Sequence, residues 1–270
     1  MKDNTEIRGV ILDWAGTSVD HGCRGPAAVF SSAFEEFGAT PTIAEIREPM
    51  GREKKEHVKT MLAMPRLASL WKEKRGKAPD DSDVDLVFAK VQELMPEVLA
   101  DYGKPVPGCV EAIDALRSRG IKIGSCTGYS RPMMTKLMPA AEKAGFSPDC
   151  LVTADEVPQG RPLPWMCYLN CMRLGIFPPE TVVKVGDTIA DIKEGINAGH
   201  WSVGVTRTSN ALGYSEEEIE AENPEEIRAK EKALAREFRK AGAHYVISSI
   251  ADLPDLCDEI SAAMRAGRRP

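Results

Sequence analysis

Residues 8–19 read RGVILDWAGTSV, and this stretch decides the fold. The apolar run Val10 to Leu12 predicts a buried strand, and the glycine and hydroxyl residues at 16–18 end it, so Asp13 stands at the carboxyl end of the strand. In an open α/β sheet, ligands bind at that end. An aspartate can also simply cap a turn or the next helix, so the meaning of Asp13 depends on partners elsewhere in the chain.

Strands and helices alternate from about residue 105 onwards, and this alternation predicts the fold class. Successive βα units with apolar, β-branched strands predict an α/β protein whose mostly parallel sheet is covered by helices on both faces. Earlier in the chain only helical patterns occur. We therefore predict a core domain of residues 1–20 and 101–270, with an all-helical domain of residues 21–100 inserted after the first strand.

Hydrophobic periodicity predicts the individual elements of the core. The predicted strands are 10–12, 121–125, 150–152, 182–185, 201–205 and 245–247. The charged stretch 216–240 is predicted to be one helix with a solvated face.

The composition limits the class of protein. The chain has 270 residues, of which 43% are hydrophobic, and this suffices for a sizeable core. Lys and Arg number 35 against 41 Asp and Glu, a formal charge of −6 that argues against nucleic acid as a partner. The polar start and the lack of an apolar run of roughly 18 residues favour a cytoplasmic protein that does not cross a membrane. Seven cysteines without a CxxC pair fit reduced thiols better than disulfides or a zinc site.

Polar residues of a recognisable kind lie next to four predicted strands. They are Asp13, the pair Thr127 and Gly128, the segment Gly160-Arg161-Pro162 that is predicted to open the helix after the third strand, and Asp187 with Asp191. Each of them alone has an ordinary explanation as a turn, a surface ion pair or a helix cap. Their occurrence together at one edge of one sheet favours a phosphoryl-transfer site.

The aspartates of this set suit a metal ion and a nucleophile. Asp13 and Asp187 offer carboxylate oxygens to Mg²⁺, which prefers one or two carboxylates together with water and substrate oxygens. The remaining oxygen of Asp13 is a nucleophile. Asp191, which follows Asp187 by four residues on a helix, either binds the metal through water or orients the metal ligands.

Phosphoryl groups also need positive charge and hydrogen-bond donors. Arg161 and the metal would neutralise the phosphoryl charge, and the hydroxyl of Thr127 with the backbone N–H groups of Thr127 and Gly128 would donate to phosphoryl oxygens. Taken with the aspartates, this arrangement resembles the haloacid dehalogenase superfamily of hydrolases that form an aspartyl phosphate. The resemblance implies a Rossmann-like parallel sheet core with an inserted all-helical cap domain.

Position 15 departs from the superfamily pattern. Phosphatases of the superfamily carry a second Asp two residues after the nucleophile, where it protonates the departing alkoxide, and here that residue is Ala15. A phosphate ester would therefore lack its general acid, although Ala15 can still offer its backbone carbonyl to the metal. The missing acid is consistent with a carbon leaving group, because a C–P bond breaks only when its electrons are delocalised. A lysine imine next to that carbon provides such an electron sink.

Residues 49–57 read PMGREKKEH and contain the lysine that such a reaction needs. This segment resembles the cap motif of the phosphonoacetaldehyde hydrolase family, as do DWAGT at 13–17 and GRPLPWMCY at 160–168. The resemblance implies that Lys54 forms an imine with the substrate aldehyde and that Asp13 attacks phosphorus. The implied products are acetaldehyde and phosphate.

The same resemblance implies roles for further residues and for the assembly. His57 is the implied proton handler, and Cys23, Met50 and Tyr129 are implied to line the substrate pocket. The resemblance also implies Mg²⁺ as cofactor, a cap that opens and closes over the core, and a homodimer formed through the cap helices.

Several alternatives stay open at the level of the sequence. Lys55 instead of Lys54 could be the inward lysine, although the spacing to His57 favours Lys54. Met50 and Cys23 could be simple packing residues. A phosphatase or phosphomutase acting on a sugar phosphate is a second hypothesis, which the missing acid disfavours. A non-catalytic protein that binds phosphorylated metabolites on the same fold is a third.

Overall fold

The computed structural model describes residues 5–270. The strands are β1 (Gly9–Leu12), β2 (Lys122–Thr127), β3 (Cys150–Thr153), β4 (Val182–Gly186), β5 (Trp201–Val205) and β6 (Tyr245–Ile247). They form a six-stranded sheet of order β3-β2-β1-β4-β5-β6, in which all pairs are parallel. All residues of β1, β4 and β5 are buried, so both faces of the sheet are covered. The predicted α/β fold class is confirmed.

Helices connect and cover these strands. Between β1 and β2 lie α1 (Arg24–Glu36), α2 (Ile43–Arg47), α3 (Lys54–Ala63), α4 (Pro65–Arg75) and α5 (Asp81–Leu99). The later helices are α6 (Cys109–Ser118), α7 (Met134–Lys143), α8 (Trp165–Leu174), α9 (Ile189–Asn197), α10 (Glu216–Ala221), α11 (Pro224–Lys240) and α12 (Leu253–Arg265). Among residues 5–270, no helix combines the length and the apolar character needed to cross a bilayer.

The helices α1–α5 form one packed group, which we call the helical insertion. The side chains of Phe30, Phe34 and Val91 are fully buried where α1 packs against α5. Burial of side chains of this size stabilises by roughly 1.5–3 kcal/mol each. The domain bounds at residues 20/21 and 100/101 remain a prediction, and residues 1–4 of the predicted core domain lie outside the described residues.

The chain leaves the core for the insertion and returns from it at one place. Val19 and Pro105 form an antiparallel bridge. Beside it, the N–H of Val106 donates to the Ser18 carbonyl at 3.0 Å. The two connecting segments therefore run side by side close to the carboxyl end of β1.

The prediction of a single helix over residues 216–240 is wrong. The chain forms α10 and α11, with a break at residues 222–223. Pro224 has no N–H to continue the hydrogen bonds of α10, and the Asn223 side chain accepts from the N–H of Glu225 at 2.8 Å, which starts a new helix.

The segment 160–162 does not open a helix either, because α8 begins only at Trp165. Leu163 precedes Pro164, and a residue before proline is disfavoured in the helical conformation. Arg161 is therefore presented by a loop and not by the first turn of α8.

Candidate active site

The carboxyl ends of three neighbouring strands bring the predicted side chains together. Asp13 directly follows β1, is 5% exposed, and donates its N–H to the Val185 carbonyl at 3.0 Å. Thr127 ends β2, and Asp187 directly follows β4. Because β1 pairs with both β2 and β4, these three residues meet at one edge of the sheet, as predicted.

Three carboxylates form a cluster at this edge. Asp13, Asp187 and Asp191 are buried, and each has an oxygen within 4.8 Å of the others. Burial raises the pKa of Asp13 and of Asp187, and the negative charge of Asp191 raises both further. A hard divalent cation such as Mg²⁺ prefers carboxylate oxygens and would relieve this repulsion. The residues present therefore fit the metal that the sequence predicts.

Asp187 is fixed by donors from two loops. The N–H of Asn210 donates to its Oδ2 at 2.7 Å, and the hydroxyl of Thr17 lies 3.4 Å from its Oδ1. Gly16 has φ +82°, and a Cβ there would lie 2.4 Å from Oδ2 of Asp187. Gly16, in the turn after β1, thus leaves room for the second carboxylate.

Arg161 is buried among carboxylates. Its guanidinium donates to Asp13 at 2.7 Å and to Glu194 at 2.8 Å, and it lies 3.1 Å from Asp191. Although burial lowers the pKa of Arg161, the negative charges of Asp13, Asp191 and Glu194 raise it well above its ordinary value. Arg161 is therefore a permanent positive charge beside Asp13.

Sequence reasoning misses Lys184 and Glu194, which complete this network. Lys184 lies in the middle of β4, is fully buried, and donates to Asp191 at 2.7 Å. Its Nζ is also 3.5 Å from Glu194. A lysine inside an otherwise apolar strand is a signal that could have identified Lys184. Glu194 lacks such a signal, because an acidic residue on a helix is most often solvent-exposed.

Asp191 has both carboxylate oxygens engaged within the protein. Oδ1 accepts from Lys184, and Oδ2 accepts from the hydroxyl of Thr188, which also caps α9. Of the two roles that the sequence left open for Asp191, this geometry favours that of orienting the metal ligands over that of binding the metal through water.

Lys54 is the first residue of α3 and is only 4% exposed. Its Nζ lies 4.7 Å from the ring centroid of Tyr129 and 5.8 Å from that of Phe30. Burial lowers the pKa of Lys54, the positive charge of Arg161 lowers it further, and the carboxylate of Asp13 acts in the opposite sense. A larger fraction of this amine is therefore unprotonated than of an ordinary lysine.

The adjacent lysine points away from the site. Lys55 is exposed and forms a salt bridge with Asp85 at 2.6 Å. The carboxylate of Glu53 caps α3 by accepting from the N–H groups of Lys55 and Glu56. Lys54, and not Lys55, is therefore the inward lysine.

His57 lies one helical turn after Lys54 and is fully buried. Its Nε2 is 2.9 Å from the Ile46 carbonyl, and its ring stacks on Phe30 at 3.8 Å. Because a carbonyl only accepts, Nε2 carries the proton and Nδ1 is the basic nitrogen, for which residues 5–270 provide no hydrogen-bond partner. Burial, and then the charge of Lys54, lowers the pKa of His57 well below its ordinary value. The imidazole is neutral.

Most of the predicted site residues line one small cavity of about 20 Å³. They are Asp13, Ala15, Cys23, Met50, Lys54, Thr127, Gly128, Tyr129, Arg161 and Asp187. His57 and Asp191 do not line it. A cleft of about 440 Å³ shares Met50, Arg161 and Asp187 with this cavity. The cavity has room for about one water molecule.

Two glycines let the helical insertion touch the core. Gly51 has φ +87°, and a Cβ there would lie 2.3 Å from the hydroxyl oxygen of Thr188. A Cβ on Gly128 would lie 2.5 Å from the carbonyl oxygen of Arg52. Larger residues at either position would hold the two parts of the molecule apart.

Comparison with known proteins identifies relatives over the whole chain. The phosphonoacetaldehyde hydrolase of Nitratidesulfovibrio vulgaris is 51% identical over 98% of this chain and 94% of its own length. The phosphonoacetaldehyde hydrolase of Bacillus cereus is 45% identical over 94% of this chain and 97% of its own length.

The solved structures and the family models agree with these relatives. A crystal structure of a phosphonoacetaldehyde hydrolase-like protein from Oleispira antarctica is 34% identical, covers 100% of this chain and 99% of its own, and superposes with a TM-score of 0.96. Residues 7–199 match the model of the haloacid dehalogenase-like hydrolases. The chain therefore belongs to the haloacid dehalogenase-like hydrolases and, within them, to the phosphonoacetaldehyde hydrolase family.

Proposed function

We propose that this protein hydrolyses the carbon–phosphorus bond of phosphonoacetaldehyde to give acetaldehyde and inorganic phosphate. The observation that supports this most strongly is that a buried amine, Lys54, and a buried carboxylate, Asp13, line the same small cavity. The relatives from N. vulgaris and B. cereus that are named for this activity support the choice of substrate.

Lys54 and Asp13 divide the reaction between them. Lys54 attacks the aldehyde carbon and forms an imine with loss of water. The carboxylate of Asp13 then attacks phosphorus, the C–P bond breaks, and its electron pair enters the protonated imine to give an enamine. A proton returns to carbon, one water releases acetaldehyde from Lys54, and a second water hydrolyses the aspartyl phosphate. The net reaction consumes one water.

His57 is proposed to move protons during these steps. Its ring is neutral and its Nδ1 has no hydrogen-bond partner among residues 5–270, so it can accept a proton, and because its pKa is lowered well below the ordinary value it returns that proton readily. The hydrogen bond from Nε2 to Ile46 fixes the tautomer that this role needs.

The phosphoryl group is proposed to bind against Arg161, Thr127 and Gly128. The Thr127 oxygen accepts from the N–H of Tyr129 at 3.2 Å, which leaves its hydroxyl hydrogen available for a phosphoryl oxygen. Arg161 supplies fixed positive charge at the carboxylate that attacks phosphorus.

Asp13, Asp187 and the backbone carbonyl of Ala15 are proposed to hold Mg²⁺, with Asp191 as an orienting residue. When bound, the ion would supply positive charge to neutralise the phosphoryl oxygens. The buried cluster of carboxylates supports this assignment.

The helical insertion is proposed to be a cap domain, residues 21–100, that opens to admit substrate and closes for the reaction. Lys54 and Asp13 are 4% and 5% exposed and line a cavity with room for about one water molecule, which supports a closed form that must open. Cys23, Met50 and Tyr129 are proposed to line the substrate pocket in the closed form.

We also propose that the protein is a cytoplasmic homodimer that associates through the helices of the insertion. The family resemblance supports this assembly. Sedimentation that gives a monomer mass at micromolar concentration would contradict it, and recovery of the native protein outside the cytoplasmic fraction would contradict the location.

The test of the proposed function measures acetaldehyde and phosphate together and traps the imine with borohydride. The unaltered protein should release both products in equal amounts, and borohydride added with substrate should label Lys54, as located by peptide mass spectrometry. Lys54→Arg should abolish turnover and labelling. The matched variant Lys55→Arg should retain both, because Lys55 faces solvent.

Two results would contradict the proposal. One is a label on Lys55 only, or on neither lysine, in an active preparation. The other is faster phosphate release from sugar phosphates than from the phosphonate, which would favour a phosphatase.

A further inference from the structure

Arg47, at the end of α2 in the helical insertion, binds a loop of the core. Its guanidinium donates to the carbonyl of Gly213 at 3.1 Å and to that of Asn210 at short range. Both carbonyls belong to residues 206–214, the segment after β5, which we call the latch loop. Arg47 also lies 3.3 Å from the carbonyl of Gly22, in the segment that leads from the core into the insertion. One side chain thus joins the insertion, the core and the connecting segment.

Asn210 of the latch loop also donates hydrogen bonds, one to Arg47 and one to the candidate active site. The side-chain amide of Asn210 donates to the backbone carbonyl of Arg47 at 3.1 Å. The backbone N–H of the same Asn210 donates to Oδ2 of Asp187 at 2.7 Å. A single residue therefore connects the docked arginine to one of the clustered carboxylates.

The guanidinium of Arg47 fits against the latch loop because residue 213 is a glycine. Gly213 has φ +71°, and a Cβ there would lie 1.9 Å from Nη1 of Arg47. Any side chain at residue 213 would therefore displace the arginine. Within the described chain, no carboxylate lies within salt-bridge distance of Arg47. Its direct partners are backbone carbonyls that this docked position provides, and Asp20 and Asp187 act on its charge from farther away.

The latch loop also contacts the turn that follows Asp13 and the segment that leads from the core into the insertion. The hydroxyl of Thr208 donates to the Gly16 carbonyl at 2.7 Å, and the N–H of Gly22 donates to the Thr208 carbonyl at 2.9 Å. Gly16 is the residue that leaves room for Asp187. The latch loop is therefore in contact with the turn after β1, with the segment that leads into the insertion and with Arg47 of the insertion itself.

We propose that Arg47 is a positioning residue that latches the helical insertion onto the core and, through Asn210, couples closure to the placement of Asp187. The proposal rests on the proposed function in that it takes the insertion to open and close. Opening the insertion separates the guanidinium from its carbonyl acceptors, so Arg47 favours the closed form by the strength of those bonds.

The test measures how often the insertion opens, without using turnover. Trinitrobenzenesulfonate arylates free amines, and because Lys54 is only 4% exposed, the reagent reaches it mainly in the open form. The rate of labelling at Lys54 is then proportional to the open fraction. The exposed Lys55 in the same peptide is the internal reference, and mass spectrometry resolves the two sites.

We expect Arg47→Ala and Gly213→Ala each to raise the ratio of Lys54 to Lys55 labelling by about tenfold or more, since hydrogen bonds to a charged group are lost. Gly213→Ala keeps the charge of Arg47 and serves if Arg47→Ala fails to fold. The double variant should show no further increase, because both changes remove the same contact.

Two control variants separate the latch from general loosening. Gly120→Ala changes a core glycine with a similar φ of +75° where a Cβ would meet nothing within 4 Å. Arg66→Ala removes an arginine whose partners, Glu45 and Thr40, both lie outside the core strands and the latch loop. Neither should change the labelling ratio.

The proposal is overturned if folded Arg47→Ala or Gly213→Ala labels Lys54 at the rate of the unaltered protein. It is also overturned if the two effects multiply in the double variant, since independent effects would mean that no shared contact exists. The assay for acetaldehyde and phosphate tests the proposed function separately, because the labelling ratio reports opening whether or not the phosphonate is the substrate.

Discussion

Buried charges concentrate around the carboxyl end of β1, and each depends on its neighbours. Arg161 and Lys184 lie between Asp13, Asp191 and Glu194, and all five side chains are almost completely buried. Removing one member of such a network leaves its partners unpaired at low dielectric, which typically costs about 3–5 kcal/mol. We therefore interpret Lys184 and Glu194 as residues that keep Arg161 and Asp191 charged and in place.

His200, which lies outside that network, gives the protein a pH-dependent stability. Its Nδ1 donates to the Pro179 carbonyl at 2.8 Å, and burial lowers its pKa from 6.5 to about 4. Between these values the unfolded chain binds more protons than the folded one. The contribution of His200 to the free energy of unfolding is therefore fully present above pH 6.5. As the pH drops towards 4, the free energy of unfolding falls by up to about 3 kcal/mol.

Urea unfolding at several pH values from about 4 to 7 measures this effect. His200→Gln removes the titrating group and should flatten the pH dependence, whatever its effect on stability at neutral pH. The other buried histidine with a lowered pKa, His57, contributes to the slope of both proteins and cancels in the comparison. Equal slopes for the variant and the unaltered protein would show that His200 titrates normally.

At the level of elements, the sequence predicts those parts whose pattern is local. β1 is an apolar run, and β4 is apolar except for Lys184. A polar residue or a glycine ends each of them, so their bounds and the convergence of Asp13 and Asp187 can be predicted. The stretch 216–240 is misassigned because its charge pattern continues across Pro224, where the hydrogen bonding of a helix cannot. The latch loop has no periodicity, and its contacts with Arg47 depend entirely on tertiary structure.

Activity should be sensitive to the addition of a single methyl group at Gly51, in the loop between α2 and α3. A Cβ on Gly51 would overlap the hydroxyl of Thr188 at 2.3 Å, at a φ of +87°. We expect Gly51→Ala to displace Lys54 from Asp13 and to lower kcat/KM for the phosphonate by about one hundredfold, since small misplacements cost this much. Steady-state release of acetaldehyde measures the change.

Gly76→Ala is the matched control for this prediction. Gly76 also lies in the insertion with a φ of +77°, but a Cβ there would meet nothing within 4 Å. Gly76→Ala should lower stability somewhat through backbone strain and should retain almost full activity. Full activity of Gly51→Ala would mean that the insertion does not approach Thr188 during the reaction.

The whole molecule places its reactive groups on two parts that meet at one surface. The core contributes the carboxylates and Arg161, and the helical insertion contributes Lys54 and His57. The pKa values of Asp13 and Asp187 are raised by burial and by the negative charge of Asp191, so the negative charge of the carboxylate cluster is incompletely compensated without a cation. Binding of a divalent cation should therefore stabilise the folded protein as a whole.

Thermal unfolding with and without Mg²⁺ tests this expectation without an activity assay. At an Mg²⁺ concentration about one hundred times Kd, the gain of about 2.7 kcal/mol should raise Tm by about 5–10 °C. Asp187→Asn should remove most of this increase, while sodium chloride at matched ionic strength should not reproduce it. An equal Tm for the unaltered protein with EDTA and with Mg²⁺ would contradict a metal site in the carboxylate cluster.

The bridge between Val19 and Pro105 has an evolutionary consequence. The chain leaves the sheet and returns to it at adjacent positions. Recombination could therefore replace the segment between Val19 and Pro105 without disturbing any strand pairing. A different inserted domain at this point would leave the phosphoryl-binding residues of the core unchanged. New substrates would then arise by exchange of a unit, with the ancestral sheet left intact.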